Sequence, residues 1–518
     1  MLYSHYPLAG SMVAAPRIAL VFCPYFSLRS PHLGLSRIFT MLKHDGLKAD
    51  VYDLDDWLRV RHREWYHSFE RALNIGREFD RVSFVLGIEA LLHHLFSREH
   101  DRFDWDGVIA EALIKPIPGF QDILREAADP LVSGDYDIVL FSTYISNVFF
   151  SLSVAQVLKH TTNARIVFGG PGSSIPETAR FFLHTGFVDA VVIGEGELTI
   201  SELFREWDGQ GSVPGIPGVA RLSNDAFEFK PREQIRDISN LPVTQYPALD
   251  SAISYFPMET SRGCIMDCGF CSESSFWNNY RPRSIESIRY EIATRSRSLD
   301  NRMMTVEFVD SLLNPSETRL RDVCEGIIDE GRAIRWICEM RPVSWMTSSL
   351  ASLMYRAGCR NVSLGAETCI PGRLNYLRKG TRVEWILDTI DALTEAGIQT
   401  TVYRMVGISG ETDHEILEMY ELLRSFMHRI NDPVQWGRIR WGSPDVLRVE
   451  PYSPMYRDPE KWNIQLSPFT IPLPEDLAYL SPYVDPLCVT ADNDIPKAEK
   501  LRHNALMKKL DIVTGLMG

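Results

Sequence analysis

The stretch SRGCIMDCGFC, residues 261–271, carries three of the nine cysteines of this 518-residue chain. Cys264, Cys268 and Cys271 directly follow a predicted strand, so we expect all three thiols on one loop at the carboxyl end of that strand. Closely spaced cysteines of this kind are typical of a metal site. Packing as small apolar side chains is a weaker explanation, because an aspartate and a glycine interrupt the run.

The number of cysteines reduces the possible kinds of metal site. A structural zinc site normally has four protein ligands, often from a second CxxC or a pair of histidines. The segment that follows, SESSFWNNYRPR (272–283), supplies neither. Cuboidal iron–sulfur clusters are usually held by four cysteines. Three cysteines would therefore leave one iron open to another ligand.

Composition is that of an ordinary globular protein. Apolar residues make up 45 % and charged residues 24 %, and a net charge of −14 with a pI near 5.5 offers no basic footprint for nucleic acid or an anionic membrane. Residues 1–17 do not resemble a signal peptide, and the odd cysteine count argues against a disulfide framework. We therefore expect a cytoplasmic protein. The uncharged run 138–158 contains several polar residues, which favours a buried strand, loop and helix over a membrane span.

The first part of the chain alternates predicted strands and helices. The pattern begins with a strand in 17–26, a helix in 33–46 and a strand in 48–54, and a helical insertion is expected over about 57–130. The alternation resumes at residue 138. It predicts an α/β domain, residues 1–233, in which a doubly wound (flavodoxin- or Rossmann-like) parallel sheet binds its ligand beyond the carboxyl ends of the strands.

A second α/β domain is predicted after a proline-punctuated linker, residues 234–254. Six strands alternate with helices and predict a partial or full β/α barrel over 255–454. The remaining residues, 455–518, are expected to form a small C-terminal region that ends in the basic amphipathic helix PKAEKLRHNALMKKL. The strands are predicted in YFPMETSRGC, MMTVEFVDS, IRWICEMR, NVSLGAET, QTTVYRMVGISGET and DVLRVEPYSP.

The CxxxCxxC spacing after the first strand of a β/α barrel resembles the radical S-adenosylmethionine (SAM) superfamily. The resemblance implies a [4Fe–4S] cluster in which Cys264, Cys268 and Cys271 each hold one iron, while the remaining iron chelates the amino and carboxylate groups of SAM. One electron from the cluster would then cleave the sulfonium, giving a 5′-deoxyadenosyl radical that abstracts a hydrogen from the substrate.

Further segments resemble the family in order and spacing over about 255–450. GAET (365–368) resembles the fourth-strand segment that contacts the ribose and methionine moiety. VGISGET (406–412) resembles the glycine-rich turn on the adenine side, with Ser409 in place of the usual proline. The SAM contacts that the resemblance implies are Phe270, Ser363, Glu367, Gly407, Gly410 and Glu411.

The predicted sheet in front of the barrel resembles the cobalamin-binding subclass of these enzymes. DIVLFST, IVFGGPGSS and VIGEGE carry that resemblance, and the second is not a P-loop because the Lys-[Ser/Thr] ending is absent. Glycines after strands also serve ordinary turns, so a structural role stays open. The cobalamin contacts that the resemblance implies are Ser142, Thr143, Gly169, Gly170, Gly172, Ser173, Gly194, Glu195 and Gly196.

The D-x-H-x-x-G motif, which supplies a histidine to cobalt, is absent from this domain. The resemblance then implies cobalamin with its own base displaced and no imidazole from that motif. The lower face of the cobalt would meet the loop CPYFSLRSPHLG (23–34), which offers Tyr25, Leu28, Arg29 and His32. His32 precedes a helix, where a histidine is more often a cap or a surface residue than a ligand.

These resemblances imply a cobalamin-dependent radical SAM enzyme, and we expect a C-methyltransferase acting on an unactivated carbon of a natural-product or ribosomal-peptide substrate. Segment 448–464 resembles one that closes the barrel in relatives with such substrates. Radical cyclisation, ring contraction and oxidative rearrangement stay open, as does a non-catalytic cobalamin- or metal-binding sensor. The expected partners are the substrate and an electron donor such as flavodoxin or ferredoxin, without nucleic acid or membrane.

No catalytic residue is assigned from the sequence. Arg341, Glu307 and Asp310 fall at predicted strand ends, where catalytic groups of β/α barrels lie. A salt bridge inside the barrel explains them at least as well.

Overall fold

The computed structural model describes most of the chain, in two compact units that each contain a large sheet. The predicted helical insertion at 57–130 falls mostly outside the described residues. Among the residues described, no helix combines the length and the apolar character needed to cross a membrane. The described residues are 15–26, 30–67, 120–247, 255–299, 303–430, 432–450, 452–468, 481–484, 489–495 and 497–514.

The first unit is a doubly wound sheet with helices between its strands. Its strands are β1 (Ile18–Phe22), β2 (Ala49–Asp53), β3 (Ile138–Ser142), β4 (Arg165–Gly169), β5 (Ala190–Val192), β6 (Val219–Ser223) and β7 (Ala226–Phe229). Its helices are α1 (Leu33–His44), α2 (Leu54–Arg61), α3 (Phe120–Ser133), α4 (Val148–Thr161), α5 (Pro176–His184) and α6 (Gly196–Glu206).

The strand order is β2-β1-β3-β4-β5-β6-β7, with β1 to β5 parallel and β6 and β7 antiparallel. β1 buries all five of its residues, and they alternate between two hydrophobic cores, one containing Ala19 and Val21 and the other Leu20 and Phe22. A central parallel strand covered on both faces reads as a continuous apolar run. The predicted doubly wound sheet is therefore confirmed, whereas the β6–β7 hairpin was not predicted.

The second unit contains the cysteine loop and the second large sheet. The remaining strands are β8 (Tyr255–Met258), β9 (Ser261–Arg262), β10 (Arg281–Pro282), β11 (Met304–Phe308), β12 (Ile334–Met340), β13 (Cys359–Glu367), β14 (Gln399–Val406), β15 (Ile439–Trp441), β16 (Asp445–Val446), β17 (Gln465–Pro468) and β18 (Val489–Asp492). The remaining helices are α7 (Glu273–Trp277), α8 (Ile285–Arg297), α9 (Glu317–Asp329), α10 (Ser348–Arg356), α11 (Pro371–Tyr376), α12 (Val383–Glu395), α13 (Asp413–Arg429), α14 (Pro433–Trp436), α15 (Pro454–Arg457), α16 (Ser481–Val484) and α17 (Lys497–Thr514).

The order β15-β14-β13-β12-β11-β8 is an open parallel path, as expected of a partial β/α barrel. The sixth predicted strand, DVLRVEPYSP, is wrong for most of its length. Among the described residues of that stretch β16 alone is a strand, and it pairs with the end of β14, while β15 occupies the sheet edge. Prolines at 451 and 454 lack the N–H that a sheet ladder requires.

The tail is divided between the two units. Within the first unit, the ring of Tyr483 in α16 stacks on His184, with centroids 3.6 Å apart. Within the second unit, α17 packs on α13 and β14, so a helix is present where one was predicted at the end of the chain. The predicted linker is divided as well, since Arg236–Leu241 belongs to the second unit and the chain returns to the first at Pro242.

Candidate active site

A buried carboxylate fixes the chain directly before the first cysteine. Asp310, 2 % exposed, accepts hydrogen bonds from the Thr260 backbone N–H (3.0 Å to each oxygen), the Thr260 hydroxyl (2.7 Å) and the Ser261 hydroxyl (2.5 Å). Burial raises the pKa of Asp310, and these donors oppose the shift by stabilising the carboxylate. The contacts of Asp310 are thus those of a structural residue at the start of the cysteine loop.

The three thiols lie together on this loop, and none is in a disulfide. Burial raises the pKa of each thiol, to about 12 for Cys271, while the positive charge of Lys379 opposes the shift at all three. Arg341 acts in the same direction on Cys264 and Cys268. Metal ligation requires the thiolate, so the two cations favour it.

This donor set fits an iron–sulfur cluster. Within the described ranges, no three His, Cys, Asp or Glu side chains converge as the ligands of a single ion do. A cuboidal cluster does not require such convergence, because each thiolate binds a different iron. Three free thiols on one loop can hold three irons of such a cluster and leave the fourth open to another ligand.

Two glycines allow the loop to pack closely. Gly263 has φ of +81°, and a Cβ there would clash with the Asn279 carbonyl. Gly269 donates to the Leu377 carbonyl (2.9 Å) and accepts from the Met455 N–H (2.8 Å), and a Cβ on it would clash with the ring of Trp462. Part of segment 448–464, predicted to close the barrel, therefore packs on the cysteine loop.

Gly269→Ala is expected to loosen this loop. The added methyl must displace the buried Trp462 ring, and such overpacking costs about 1–3 kcal/mol. We expect a lower free energy of unfolding in urea and less iron retained after reconstitution. In the matched control Gly372→Ala, the new Cβ has no atom within 4 Å. Equal iron contents in the two variants would contradict the role assigned to this contact.

A buried ion pair lies beside the cysteines. Lys379 Nζ is 2.7 Å from Glu367 Oε1, both side chains are 12 % exposed, and the ammonium lies 5.6 Å from the centroid of the Phe270 ring. Burial disfavours the charged lysine, but Glu367 and the thiolates outweigh it and raise the pKa of Lys379. The ammonium is therefore held charged next to the thiols.

The strand geometry presents Glu367 to this site. Val362, Leu364 and Ala366 are buried on one face of β13, while Ser363 and Glu367 are partly exposed on the other. Glu367 has φ of +65°, and the register shifts just before it. Lys379 could not be predicted from the sequence, because this residue follows a short helix and no strand-end motif marks it.

Arg341 also reaches the cysteine loop. Its guanidinium donates to the Gly380 carbonyl and contacts the sulfur of Met266. Glu307 accepts from the Tyr255 hydroxyl at 2.8 Å. In the part of the chain described, neither Arg341 nor Glu307 forms an ion pair, so the salt bridge considered from the sequence is not what the structure shows.

The predicted adenine-side turn is tightly structured. Gly407 and Gly410 have φ of +76° and +71°, a region that favours glycine. The Gly407 N–H donates to Glu411 Oε2 at 2.7 Å, and the Gly410 N–H to Asp494 Oδ1 at 3.3 Å. Glu411 is 5 % exposed. Its side chain thus holds the turn in place.

In the first unit, two of the predicted cobalamin contacts bond to each other. Thr143 and Ser173 are both fully buried, and their hydroxyls form a hydrogen bond. The Thr143 N–H donates to the Gly169 carbonyl (2.7 Å), and its carbonyl accepts from the Gly172 N–H (2.9 Å). Gly170 has φ of +102°, and a Cβ there would lie 2.7 Å from the Thr143 carbonyl oxygen. These contacts fix the loops after β3 and β4.

The other predicted contacts lie at the carboxyl ends of β3, β4 and β5. Ser142 is partly exposed, and Gly194, with φ of +88°, has open space around its Cβ position. Glu195 accepts from the Ile235 N–H at 2.6 Å. Gly196 allows close approach of α6 and α1, because a Cβ would lie 2.9 Å from Ile38. Ser142, Gly169, Gly170 and Gly194 thus border the edge of the sheet formed by the carboxyl ends of its strands, whereas the contacts of Glu195 and Gly196 are structural.

His32 is a buried aromatic residue of the first unit. It is 8 % exposed, its ring stacks on Phe22 with centroids 3.1 Å apart, and burial lowers its pKa to about 3. Tyr25 is 4 % exposed, and its carbonyl accepts from the Ser146 hydroxyl at 2.8 Å. The other two candidates for the lower face, Leu28 and Arg29, lie outside the described residues.

Comparison with known proteins identifies the second unit. The Radical SAM superfamily profile matches residues 258–423, so this part of the chain is a radical SAM domain, the kind of domain that uses a [4Fe–4S] cluster and SAM. An uncharacterized methyltransferase of Pyrococcus horikoshii is 29 % identical over 338 residues, covering 63 % of this chain and 70 % of the relative. The anaerobic magnesium-protoporphyrin IX monomethyl ester cyclase of Rubrivivax gelatinosus is 26 % identical over 255 residues, covering 46 % of this chain and 45 % of the cyclase.

A solved structure matches both units. The radical SAM methyltransferase TsrM from Kitasatospora setae, bound to tryptophan and a SAM analogue, aligns with a TM-score of 0.64 at 17 % identity. The alignment covers 96 % of this chain and 89 % of TsrM. At this identity the likeness is one of fold, and it extends well beyond the segment that the superfamily profile matches.

Proposed function

We propose that this radical SAM enzyme is a cobalamin-dependent C-methyltransferase that acts on an unactivated carbon of a natural-product or ribosomal-peptide substrate. The observation that carries the proposal is the fold match over 96 % of the chain to TsrM, which has also been solved with cobalamin and a [4Fe–4S] cluster bound. A methyltransferase among the sequence relatives supports the same reaction class.

In this proposal the second unit binds the cluster and SAM. Cys264, Cys268 and Cys271 hold the cluster, and Lys379 offers a positive charge that suits the SAM carboxylate. Phe270, Ser363 and Glu367 and the backbone of residues 407–411 complete the SAM site. When bound, these groups supply a radical that abstracts hydrogen from the substrate. The chain's own contribution is to keep Lys379 charged and to keep the loop and the turn in fixed positions.

Cobalamin is assigned to the first unit. Ligands of open α/β sheets bind beyond the carboxyl ends of the strands, at the point where the strand order reverses. Here that point lies between β1 and β3. Ser142, Gly169, Gly170 and Gly194 border the same sheet edge, while Thr143, Gly172, Ser173, Glu195 and Gly196 shape the loops around it. Because the His32 ring is buried and stacked on Phe22, it is not the cobalt ligand we propose.

Transfer of a labelled methyl group tests this function. With methyl-labelled SAM, the anaerobically reconstituted enzyme is expected to give a labelled product together with S-adenosylhomocysteine and 5′-deoxyadenosine. The two by-products are expected because one SAM would supply the methyl group and another would supply the radical. The same protein without cobalamin is the control, and we expect 5′-deoxyadenosine but no methylated product from it.

Radical cyclisation is the second candidate, favoured by the cyclase relative from Rubrivivax gelatinosus. An unlabelled cyclised or oxidised product, formed with 5′-deoxyadenosine, would support it and reject methyl transfer. A non-catalytic cobalamin or metal sensor would form no 5′-deoxyadenosine at all. The remaining parts of the proposal, an electron donor such as flavodoxin or ferredoxin and a cytoplasmic location, agree with the need to keep the cluster reduced.

A further inference from the structure

The C-terminal segment clamps the glycine-rich turn between β14 and α13. The Asn493 amide donates to the Gly407 carbonyl at 2.8 Å, and Asp494 accepts from the Gly410 N–H at 3.3 Å. The aliphatic part of Lys500 in α17 packs against Gly407, where a Cβ would lie 3.0 Å from its Cγ. The conformation of the turn therefore depends on a segment far along the chain.

A fully buried histidine in α17 contacts the acidic end of the same turn. His503 Nδ1 lies 3.3 Å from Glu411 Oε2 and Nε2 lies 3.1 Å from Asp413 Oδ1, and the imidazole is 0 % exposed. Glu411 Oε2 is also the oxygen that accepts from the Gly407 N–H. One imidazole thus bridges two carboxylates, one of which holds the first glycine of the turn.

The charges around His503 favour its protonated form. Glu411 raises the pKa of His503 and outweighs the opposing effect of burial, and Asp413 adds to the shift. Charged groups of α17 itself also lie nearby: Glu499, 3.8 Å from Nε2, Arg502, which pairs with Asp413 and Glu499, and Lys500, which packs on Gly407. Because the pKa is raised, the imidazolium is present at low pH and is lost as the pH rises through that pKa.

A second contact fixes α17 independently of His503. Arg404 in β14 pairs with Asp511 at 2.7 Å, the two side chains are 2 % and 0 % exposed, and the Tyr420 hydroxyl bonds to Asp511 at 2.5 Å. A change at His503 can therefore alter the turn while the helix keeps its place.

We infer that His503 is a positioning residue for SAM, because it holds Glu411 and through it the backbone of Gly407–Glu411 in the conformation that receives the cofactor. The inference rests on the proposed function, in which this turn contacts SAM. No sequence motif marks His503. Its role follows from the packing of α17 on the turn.

The test compares His503→Gln with Lys509→Gln, which removes a positive charge from an exposed position of the same helix. SAM is titrated calorimetrically into the reconstituted but unreduced proteins, in which it is not cleaved. We expect roughly tenfold weaker SAM binding for His503→Gln, the scale of one charge-assisted hydrogen bond, with unchanged iron content. Lys509→Gln should bind like the native protein.

Two further measurements distinguish a positioning role of His503 from a general effect of the substitution on protein stability. Native affinity for SAM should fall as the pH rises through the pKa of His503, whereas His503→Gln should not show this step. Amide hydrogen exchange within residues 406–412 should be faster in His503→Gln, even without the cluster. If His503→Gln fails to fold, Asp413→Asn, at the partly exposed side of the bridge, is expected to shift affinity and exchange in the same direction.

The outcomes distinguish the inference from the proposed function. Equal affinity, equal exchange and the same pH profile in native protein and variant would overturn the role of His503 while leaving the function intact. Failure of the native, reconstituted protein to bind SAM would instead reject the proposed function.

Discussion

Replacing Cys264, Cys268 or Cys271 singly with alanine is expected to abolish both the visible absorption of the reconstituted cluster and the cleavage of SAM. In the proposed site each thiolate would hold a different iron, and the described part of the chain shows no spare cysteine on the loop. The measurements are iron per chain, the absorption spectrum and 5′-deoxyadenosine formed on reduction. The expected loss is complete, because the cluster supplies the electron for SAM cleavage.

The matched control is Cys324→Ala. Cys324 is buried in α9 and removed from the cysteine loop along the chain, so its loss should cost roughly 1 kcal/mol of unfolding free energy while cleavage persists. Cys488→Ala should also leave cleavage intact, although Cys488 lies outside the described residues. If these variants lost the cluster as completely as the loop variants, the ligand assignment would be wrong.

The sheets could be predicted because their strands carry strong local signals. The five-residue run IALVF of β1 is apolar throughout and fully buried, as a central parallel strand requires. The edge elements were missed for the opposite reason. β15 has only three residues, and most positions of β6 and β7 are partly or fully exposed, so none of these strands carries an apolar run long enough to predict it from the sequence.

The parts of the candidate site that could be predicted are those whose residues lie close together in the sequence. The cysteines are adjacent in sequence, so spacing alone brings them together. Lys379 and His503 could not be found this way, because their partners, Glu367 and Glu411, are reached through tertiary packing. The hydroxyls of Thr143 and Ser173 show the converse, since side chains expected to meet a ligand instead bond to each other.

Breaking the Lys379–Glu367 pair is expected to weaken SAM binding while the iron content stays unchanged. Glu367→Gln leaves the buried ammonium uncompensated, and removing one partner of a buried pair costs on the order of 3–5 kcal/mol. Part of that cost should appear as lower stability in urea and part as weaker binding, because the freed lysine no longer holds its position beside Phe270. Glu317→Gln is the matched control: its carboxylate pairs with Arg321 on the surface of α9, where such pairs contribute roughly 0–1 kcal/mol.

A double-mutant cycle with Lys379→Met distinguishes the interaction between Lys379 and Glu367 from the contribution of each residue alone. The double variant should be less destabilised than the sum of the single variants, because it leaves no unpaired buried charge, and coupling of about 0.5–3 kcal/mol is typical of residues in contact. SAM affinity should nevertheless stay low in the double variant, since the positive charge that suits the carboxylate is gone. Stability that recovers together with affinity would show that the pair acts through the fold alone. Loss of iron in Glu367→Gln, with SAM affinity unchanged, would assign Glu367 to the cysteine loop instead of the SAM site.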